Sequence, residues 1–215
     1  MRQGVISPVT EATDWCSGMV PVLKPSGDVR ICVDLTGLNR AVRREVYPMP
    51  AVDDSIALLG GSKIFSKLDA NSGFWQINLC EDSRKLTTFL TPFGRHSFNR
   101  LPFEISSAPE IFSWAMSRLL WDMENVICHM DDILVHGADR GSHDKTLRQV
   151  LRRLEEAGLT LNEEKCEIGR TPVKVLGHII DGDGVSPDPT KVMVIQNFPS
   201  PTNKSELRRI NGMLN

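Results

Sequence analysis

Alternating apolar and polar positions along the chain predict β-strands separated by turns. The alternation at residues 19–23 and 29–34 flanks a turn with proline and glycine at residues 24–28, so these two segments predict a β-hairpin. Residues 86–89 and 96–100 predict a second strand pair around the turn at residues 91–94. The remaining strands are expected at residues 64–69, 126–128, 133–136 and 174–180.

Apolar residues at helical spacing predict helices at residues 51–59, 108–120, 142–157 and 203–214. In the third of these, Leu147, Val150 and Leu154 form one apolar stripe. Ser142 is the expected N-terminal cap of that helix, and Gly158 is its expected C-terminal stop. Residues 47–50, with two prolines, predict an extended connector. Strands and helices mix without strict βαβ alternation, which predicts an α+β fold.

Composition indicates a globular protein and excludes membrane-spanning and secretory classes. The chain has 215 residues, 40% of them hydrophobic, which is enough for one large domain or two small ones. Its apolar runs are far shorter than the roughly 20 residues that cross a bilayer, and no apolar segment of a secretory signal follows Met1. We therefore expect no membrane partner and a reducing, cytoplasmic location.

The cysteines and the charge balance narrow the function only slightly. Five scattered cysteines without a CxxC pair argue against a disulfide framework or a structural zinc site, and we expect them to be buried small hydrophobic residues. The net charge of −2 does not by itself indicate a nucleic-acid partner. Such a partner requires basic residues gathered on one face and acidic residues placed elsewhere, partly around a metal.

Two adjacent aspartates, Asp131 and Asp132, lie between two predicted apolar strands. Repulsion and desolvation oppose placing like charges together unless a cation neutralises them, and oxygen ligands suit Mg²⁺. Asp69, at the end of another predicted strand, could supply a third carboxylate. For the isolated pair, an ordinary solvated turn is the favoured alternative, because aspartate is common in turns. His129 and His136 flank this turn, and with His143 they recur every seven residues without predicting a shared zinc site.

Eight short motifs occur in an order and spacing that are specific together, although each is weak alone. They are RICVD at 30–34, YPMP at 47–50, FSKLD at 65–69, TPFG at 91–94, LPF at 101–103, APEIF at 108–112, HMDDILV at 129–135 and LGH at 176–178. In this arrangement the chain resembles the reverse transcriptase of gypsy-type LTR retrotransposons over nearly its whole length. No segment resembles the protease, ribonuclease H or integrase regions of such polyproteins.

The resemblance implies a right-hand polymerase fold with fingers and a palm, the palm being an antiparallel sheet backed by helices. The fingers would comprise residues 1–45 and 77–107, the palm residues 46–76 and 108–182, and the start of a thumb residues 183–215. The implied activity is RNA-directed DNA synthesis on an RNA or DNA template with primer. Two Mg²⁺ ions, or Mn²⁺ in their place, would assist transfer from dNTP to the primer 3′-hydroxyl. The rest of a pol polyprotein in cis, within a cytoplasmic virus-like particle, is also implied.

The resemblance assigns catalytic and primer-binding roles to matching positions. The catalytic, metal-binding carboxylates would be Asp69, Asp131 and Asp132, with the backbone of Ala70 as a further metal ligand. The primer grip would be Leu176, Gly177 and His178.

The resemblance also assigns the nucleotide-binding residues. They would be Lys24, Arg30, Ser72, Gly73, Phe74 and Phe103. Phe74 would pack beneath the deoxyribose and exclude a 2′-hydroxyl, and Lys24 and Arg30 would grip the triphosphate. Without the family, Phe74 would be taken as a core aromatic and the two basic residues as surface charges.

Glu104 departs from the family, which favours glycine after the Pro-Phe dipeptide of LPF. At about 7 Å and an effective dielectric near 20, each like charge facing this carboxylate would cost about 2 kcal/mol before screening. We therefore expect Glu104 to weaken nucleotide and template binding. Two alternatives to an active polymerase follow: a catalytically impaired nucleic-acid-binding module and a non-catalytic scaffold. His129 stands where the family usually has tyrosine, a change we expect to be tolerated.

Overall fold

The computed structural model describes residues 4–23, 27, 29–43, 52–129, 132–175, 177–182, 184–197, 201 and 203–214. The expected connector at residues 47–50 lies outside them. The strands are β1 Ile6–Pro8, β2 Met19–Leu23, β3 Val29–Val33, β4 Ile64–Asp69, β5 Phe89–Thr91, β6 Gly94–Phe98, β7 Val126–His129, β8 Asp132–Gly137, β9 Glu167–Arg170, β10 Val173–Val175, β11 His178–Ile180 and β12 Val185–Pro187. The helices are α1 Thr36–Asn39, α2 Val52–Ala57, α3 Glu81–Leu86, α4 Ala108–Leu120, α5 Arg140–Glu156, α6 Pro189–Gln196 and α7 Lys204–Leu214.

A four-stranded antiparallel sheet in the order β7-β8-β4-β9 organises the described chain. Successive side chains of a strand point to opposite faces, and both faces of this sheet are buried. One face, including Leu68, Ile133 and Val135, packs into the core formed with α4 and α5. The other face, including Phe65 and Leu134, packs against β10 and β11. The α+β prediction is therefore confirmed.

Helix α5 forms as the apolar stripe predicts, but its N-terminal cap is Asp139 and not Ser142. The Ser142 backbone N–H donates to Asp139 Oδ1 at 3.0 Å, and the Ser142 hydroxyl accepts from the Asp139 backbone, which completes a capping box. Aspartate and serine are both good caps, so the helix start was predicted two residues late. Gly158 follows the helix end with a φ of +71°, as expected of a stop.

Two other predictions about elements require correction. The single strand expected at residues 174–180 is a hairpin of β10 and β11, which turns at Gly177 with a φ of +79°. Leu86, expected in a strand, ends helix α3, and the strand pair consists of β5 and β6. The expected hairpin of β2 and β3 is present, with Val22 paired to Arg30.

Two buried serine–histidine pairs hold β4 in place. The Ser62 hydroxyl hydrogen-bonds His136 Nδ1 at 2.8 Å, and Ser66 Oγ lies 2.9 Å from His143 Nε2. Burial lowers the pKa of His136, and the charge of neighbouring His143 lowers it further, so the His136 ring is neutral at pH 7. These contacts give His136 and His143 structural partners within the core.

An ion pair anchors the β10–β11 hairpin to the start of α6. Lys174 Nζ lies 2.5 Å from Asp188 Oδ2, and Asp188 is buried. The Lys174 ammonium, with the Thr190 hydroxyl, lowers the pKa of Asp188 to about 2. Between residues 4 and 214, no described helix combines the length and apolar character needed to cross a bilayer.

The cysteines are not all buried, contrary to the expectation from sequence. Cys16 and Cys80 are exposed, and Cys32, Cys128 and Cys166 are half-buried; all five are free thiols. Burial raises the pKa of the Cys128 thiol to about 12, so this side chain stays protonated.

Candidate active site

The sheet brings two of the three predicted carboxylates side by side. Asp69 ends β4, Asp132 begins β8, and the two residues are paired directly across the antiparallel ladder. Directly paired residues project from the same face, with Cβ atoms about 5 Å apart. Asp131 lies outside the described residues.

Each of these carboxylates carries a lysine partner that sequence reasoning missed. Lys67 Nζ lies 3.1 Å from Asp132 Oδ2, and Lys165 Nζ lies 3.5 Å from Asp69 Oδ1. Lys67 could have been found from the sequence, because it precedes Asp69 by two residues in a strand and therefore shares its face. Lys165 lies in a 3₁₀ helix, Glu163–Lys165, far along the chain, and no local pattern places it there.

The donor set fits a divalent cation. The carboxylates of Asp69 and Asp132 lie on one sheet face. The ammonium groups of Lys67 and Lys165 lie in the negative potential that the two carboxylates create. Within the part of the chain that the structure describes, no group of three or more histidine, cysteine or acidic residues could hold a metal. Asp131, the third carboxylate expected from the sequence, lies outside that part. Oxygen ligands of this kind suit Mg²⁺ or Mn²⁺.

The backbone of Ala70, the expected further metal ligand, lies in an isolated bridge next to Asp69. Ala70 forms an isolated antiparallel bridge with Leu161, and the two hydrogen bonds of this bridge run from Asn71 N to Thr160 O and from Asn162 N to Asp69 O. The Ala70 carbonyl therefore takes no part in the bridge and remains outside its hydrogen bonds.

An aromatic floor, formed by Phe74, Phe103 and Phe112, follows Asp69 along the chain. Ser72, with a φ of +51°, leads into the 3₁₀ helix Gly73–Gln76. Phe74 in that helix is only 8% exposed, and its ring centroid lies 5.1 Å from that of Phe103 and 5.6 Å from that of Phe112. Phe74 is thus a core residue that offers a ligand only a small part of its surface, whereas Phe103 is half-buried.

Glu104 follows Phe103 in a loop that is fastened to α1. The Asn39 side chain donates from Nδ2 to the Glu104 carbonyl at 2.8 Å and accepts from the Ser106 N–H at 2.9 Å. These two hydrogen bonds fix the backbone on both sides of Ile105, and Glu104 itself is half-buried.

The predicted primer grip lies in the turn between β10 and β11. Gly177 accepts a hydrogen bond from Asp188 N, and His178 begins β11, paired with both Val175 and Pro187. Apolar residues of β10 and β11 pack against the sheet face that also carries Asp69 and Asp132, and this packing holds the hairpin in position. Besides Asp131, three expected site positions lie outside what the structure describes: Lys24, Leu176 and the side chain of Arg30.

The family model described as reverse transcriptase (RNA-dependent DNA polymerase) matches residues 22–180. The retrovirus-related Pol polyprotein from transposon opus of Drosophila melanogaster is 37% identical, with 99% of this chain and 22% of that protein covered. The transposon Tf2-3 polyprotein of Schizosaccharomyces pombe is 32% identical, with 100% of this chain and 16% of that protein covered.

Solved structures of foamy viral protease-reverse transcriptase are similar in fold. The complex with dsDNA gives a TM-score of 0.87 at 27% identity, covering 99% of this chain and 44% of that one. The complex with an RNA/DNA hybrid gives 0.85 at 27% identity, covering 100% and 29%. The predicted polymerase fold, with an antiparallel palm sheet backed by helices, is confirmed.

The chain spans about a fifth of the length of the curated relatives that it matches. These relatives are retrotransposon Pol polyproteins, as the motif order predicted. From the family match over residues 22–180 and the similarity in fold, we conclude that the chain belongs to the reverse transcriptase family.

Proposed function

We propose that this chain is the polymerase core of a gypsy-type retrotransposon Pol polyprotein, working with the remainder of that polyprotein in cis. Its reaction would be RNA-directed DNA synthesis: transfer of a nucleotide from dNTP to a primer 3′-hydroxyl. The observation that carries the proposal is the direct pairing of Asp69 with Asp132, with Asp131 next in sequence, in a member of the reverse transcriptase family. Relatives of known structure are complexes with dsDNA and an RNA/DNA hybrid, which supports a primer–template partner.

In this proposal Asp69, Asp131 and Asp132 hold two Mg²⁺ ions, or Mn²⁺, with the Ala70 carbonyl as a further ligand. When bound, such ions favour ionisation of a 3′-hydroxyl and neutralise negative charge on the phosphates. The protein contributes alignment, because the β4–β8 ladder holds two carboxylates at fixed positions before any substrate binds.

The nucleotide would lie against two short segments, one at Ser72 and Gly73 and one at Phe103. The contact between the rings of Phe74 and Phe103 joins these segments. Ser72 and Gly73 would offer backbone groups, and Phe103 a half-buried ring, to base and sugar. Phe74, whose ring packs against those of Phe103 and Phe112, would exclude a 2′-hydroxyl by contact. Lys24 and Arg30 would bind the triphosphate.

The division into fingers, palm and thumb also belongs to the proposal. One sheet joins β1 with β5 and β6, which supports a fingers region made from residues 1–45 and 77–107. The β7-β8-β4-β9 sheet joins residues 46–76 with 108–182, which supports a palm made of two segments. The primer grip of Leu176, Gly177 and His178 would then reach the 3′ end from the same face as the carboxylates, and residues 183–215 would begin the thumb.

The test is primer extension on an RNA template with the purified chain and Mg²⁺ or Mn²⁺. We expect extension that Asp131→Asn and Asp132→Asn each abolish, and that Asp82→Asn, an exposed carboxylate in α3, leaves unchanged. If the purified chain shows no extension, the same assay is run on a longer chain that continues into the next segment of the relatives. Extension by the longer chain alone would indicate weak duplex binding, and no extension by either would indicate an inactive site. Extension that survives both site variants would refute the proposal.

Glu104 supports a second candidate, a nucleic-acid-binding module with impaired catalysis. The Asn39 hydrogen bonds hold the loop that carries this half-buried acidic residue, which follows Phe103 and would repel phosphates. Salt-sensitive binding to an RNA–DNA duplex without primer extension would favour this module. The absence of both binding and extension would favour a scaffold.

A further inference from the structure

Lys67 is an internal cation of the carboxylate face. Phe65, Lys67 and Asp69 alternate along β4 and share one face, and Lys67 is paired with Leu134, the residue two positions after Asp132. Its ammonium therefore reaches diagonally across the ladder to Asp132 Oδ2, at 3.1 Å.

The environment of this ion pair distinguishes it from an ordinary surface contact. The side chains of Lys67 and Asp132 are 23% and 26% exposed, whereas Lys165, which contacts Asp69, is 64% exposed. A partly buried pair is less screened by water and salt than an exposed pair. Of the two lysines that contact these aspartates, Lys67 is the better shielded.

We propose that Lys67 is a positioning residue that occupies the Asp132 carboxylate and competes with a divalent ion for it. The inference rests on the metal site of the proposed function. Lys67 Nζ engages Asp132 Oδ2 at 3.1 Å, so an ion that takes this oxygen competes with the ammonium for it. While it remains nearby, its positive charge also opposes a second cation at short range. Lys67 thereby keeps Asp132 aligned before the ion arrives and sets the ion concentration at which the site fills.

The decisive substitution is Lys67→Met, which keeps the length of the side chain and removes its charge. Removing one positive charge beside the site should tighten Mn²⁺ binding about tenfold, after allowance for solvent screening. Lys67→Arg keeps the charge, so its affinity should stay within about twofold of the wild type. Lys63→Met is the matched control, because it makes the same change in net charge at an exposed position about 20 Å along the strand from Asp69.

The measurement is Mn²⁺ affinity of the metal-stripped 215-residue chain, by titration calorimetry and by loss of the free-ion EPR signal. Tighter binding by Lys67→Met alone supports the inference. Equal or weaker binding by that variant, while the wild type binds Mn²⁺, overturns the inference and leaves the proposed metal site standing. If neither protein binds Mn²⁺, the metal site of the proposed function fails, and the role of Lys67 fails with it.

A second measurement uses the wild-type chain and does not depend on how Lys67→Met folds. If an ion displaces Lys67 from Asp132 Oδ2, as proposed, Mn²⁺ should increase the acetylation of Lys67 by an acylating reagent. The exposed Lys63 should show unchanged acetylation in the same mass spectra. Bound Mn²⁺ with no change at Lys67 would contradict competition for the carboxylate.

Discussion

The Ser66 hydroxyl links β4 to both β9 and α5, and its removal should destabilise the protein more than the loss of one atom suggests. Ser66 Oγ accepts a hydrogen bond from the Gly169 N–H at 2.9 Å and lies 2.9 Å from His143 Nε2. Because the Asp144 carboxylate beside His143 Nδ1 can only accept, Nε2 is the ring nitrogen that accepts the Ser66 proton. His143 Nδ1 then carries the ring proton and donates to Asp144 Oδ1 at 2.9 Å, and this hydrogen bond lowers the pKa of Asp144. Ser66 and His143 are both fully buried.

The substitution Ser66→Ala leaves two groups, the Gly169 N–H and His143 Nε2, without their partner. Each unsatisfied buried group costs about 1–3 kcal/mol, and the part-buried Gly169 amide regains some hydration, so the expected loss is about 3 kcal/mol. With a urea m-value of about 3 kcal/mol/M, the unfolding midpoint should fall by about 1 M. Because Ser66 lies three residues before Asp69 on β4, the same change should loosen the strand that carries the carboxylate.

Urea unfolding, followed by far-UV circular dichroism and tryptophan fluorescence, measures this loss. Ser62→Ala is the matched control. It removes another buried serine hydroxyl, four residues before Ser66, whose hydrogen-bond partner is a single histidine, His136. Its expected cost is about 1 kcal/mol. If Ser66→Ala costs no more than Ser62→Ala, the two-partner assignment is wrong.

Three further changes probe packing, pH dependence and substrate binding. Gly137→Ala should lower the Tm by about 10 °C, because the added Cβ would lie 2.8 Å from His143 N and Cβ, and such overpacking costs about 3 kcal/mol. The control is Gly37→Ala, which has open space around the added Cβ and should show no such fall in thermal unfolding. Asp188 has a folded pKa of about 2 against an ordinary value of 3.8, so it stabilises the fold above about pH 4, and this contribution is lost as the pH falls towards 2. The urea midpoints of the wild type and of Asp188→Asn should therefore differ at neutral pH and converge near pH 2. A difference that stays constant with pH would contradict the pKa shift. Glu104→Gly should lower the KM for dNTP in primer extension about tenfold by removing one like charge, and an unchanged KM would remove the basis for expecting impaired binding.

Local patterns were sufficient wherever an element's own residues determine its form. The apolar stripe of α5 and the alternation around Ile133 depend only on spacing along one segment, so the helix and strand were correctly predicted. The cap at Asp139 was missed because Asp139 and Ser142 are equivalent by residue preference, and only the backbone geometry selects between them. The hairpin of β10 and β11 was missed because a single glycine, Gly177, also occurs within continuous strands.

The sequence by itself determined which residues are chemically suited to a polymerase site: the aspartates at the ends of apolar strands and the motif order that identifies the family. Only the tertiary structure decided which of them meet. The pairing of Asp69 with Asp132 joins strands that are far apart in the chain, and strand period fixes the face of a side chain but not the partner strand or register. That pairing also brings Lys67 to Asp132, and the packing of the 3₁₀ helix Glu163–Lys165 against β4 brings Lys165 to Asp69. The charge balance of the site is therefore a property of the folded structure and of no single segment.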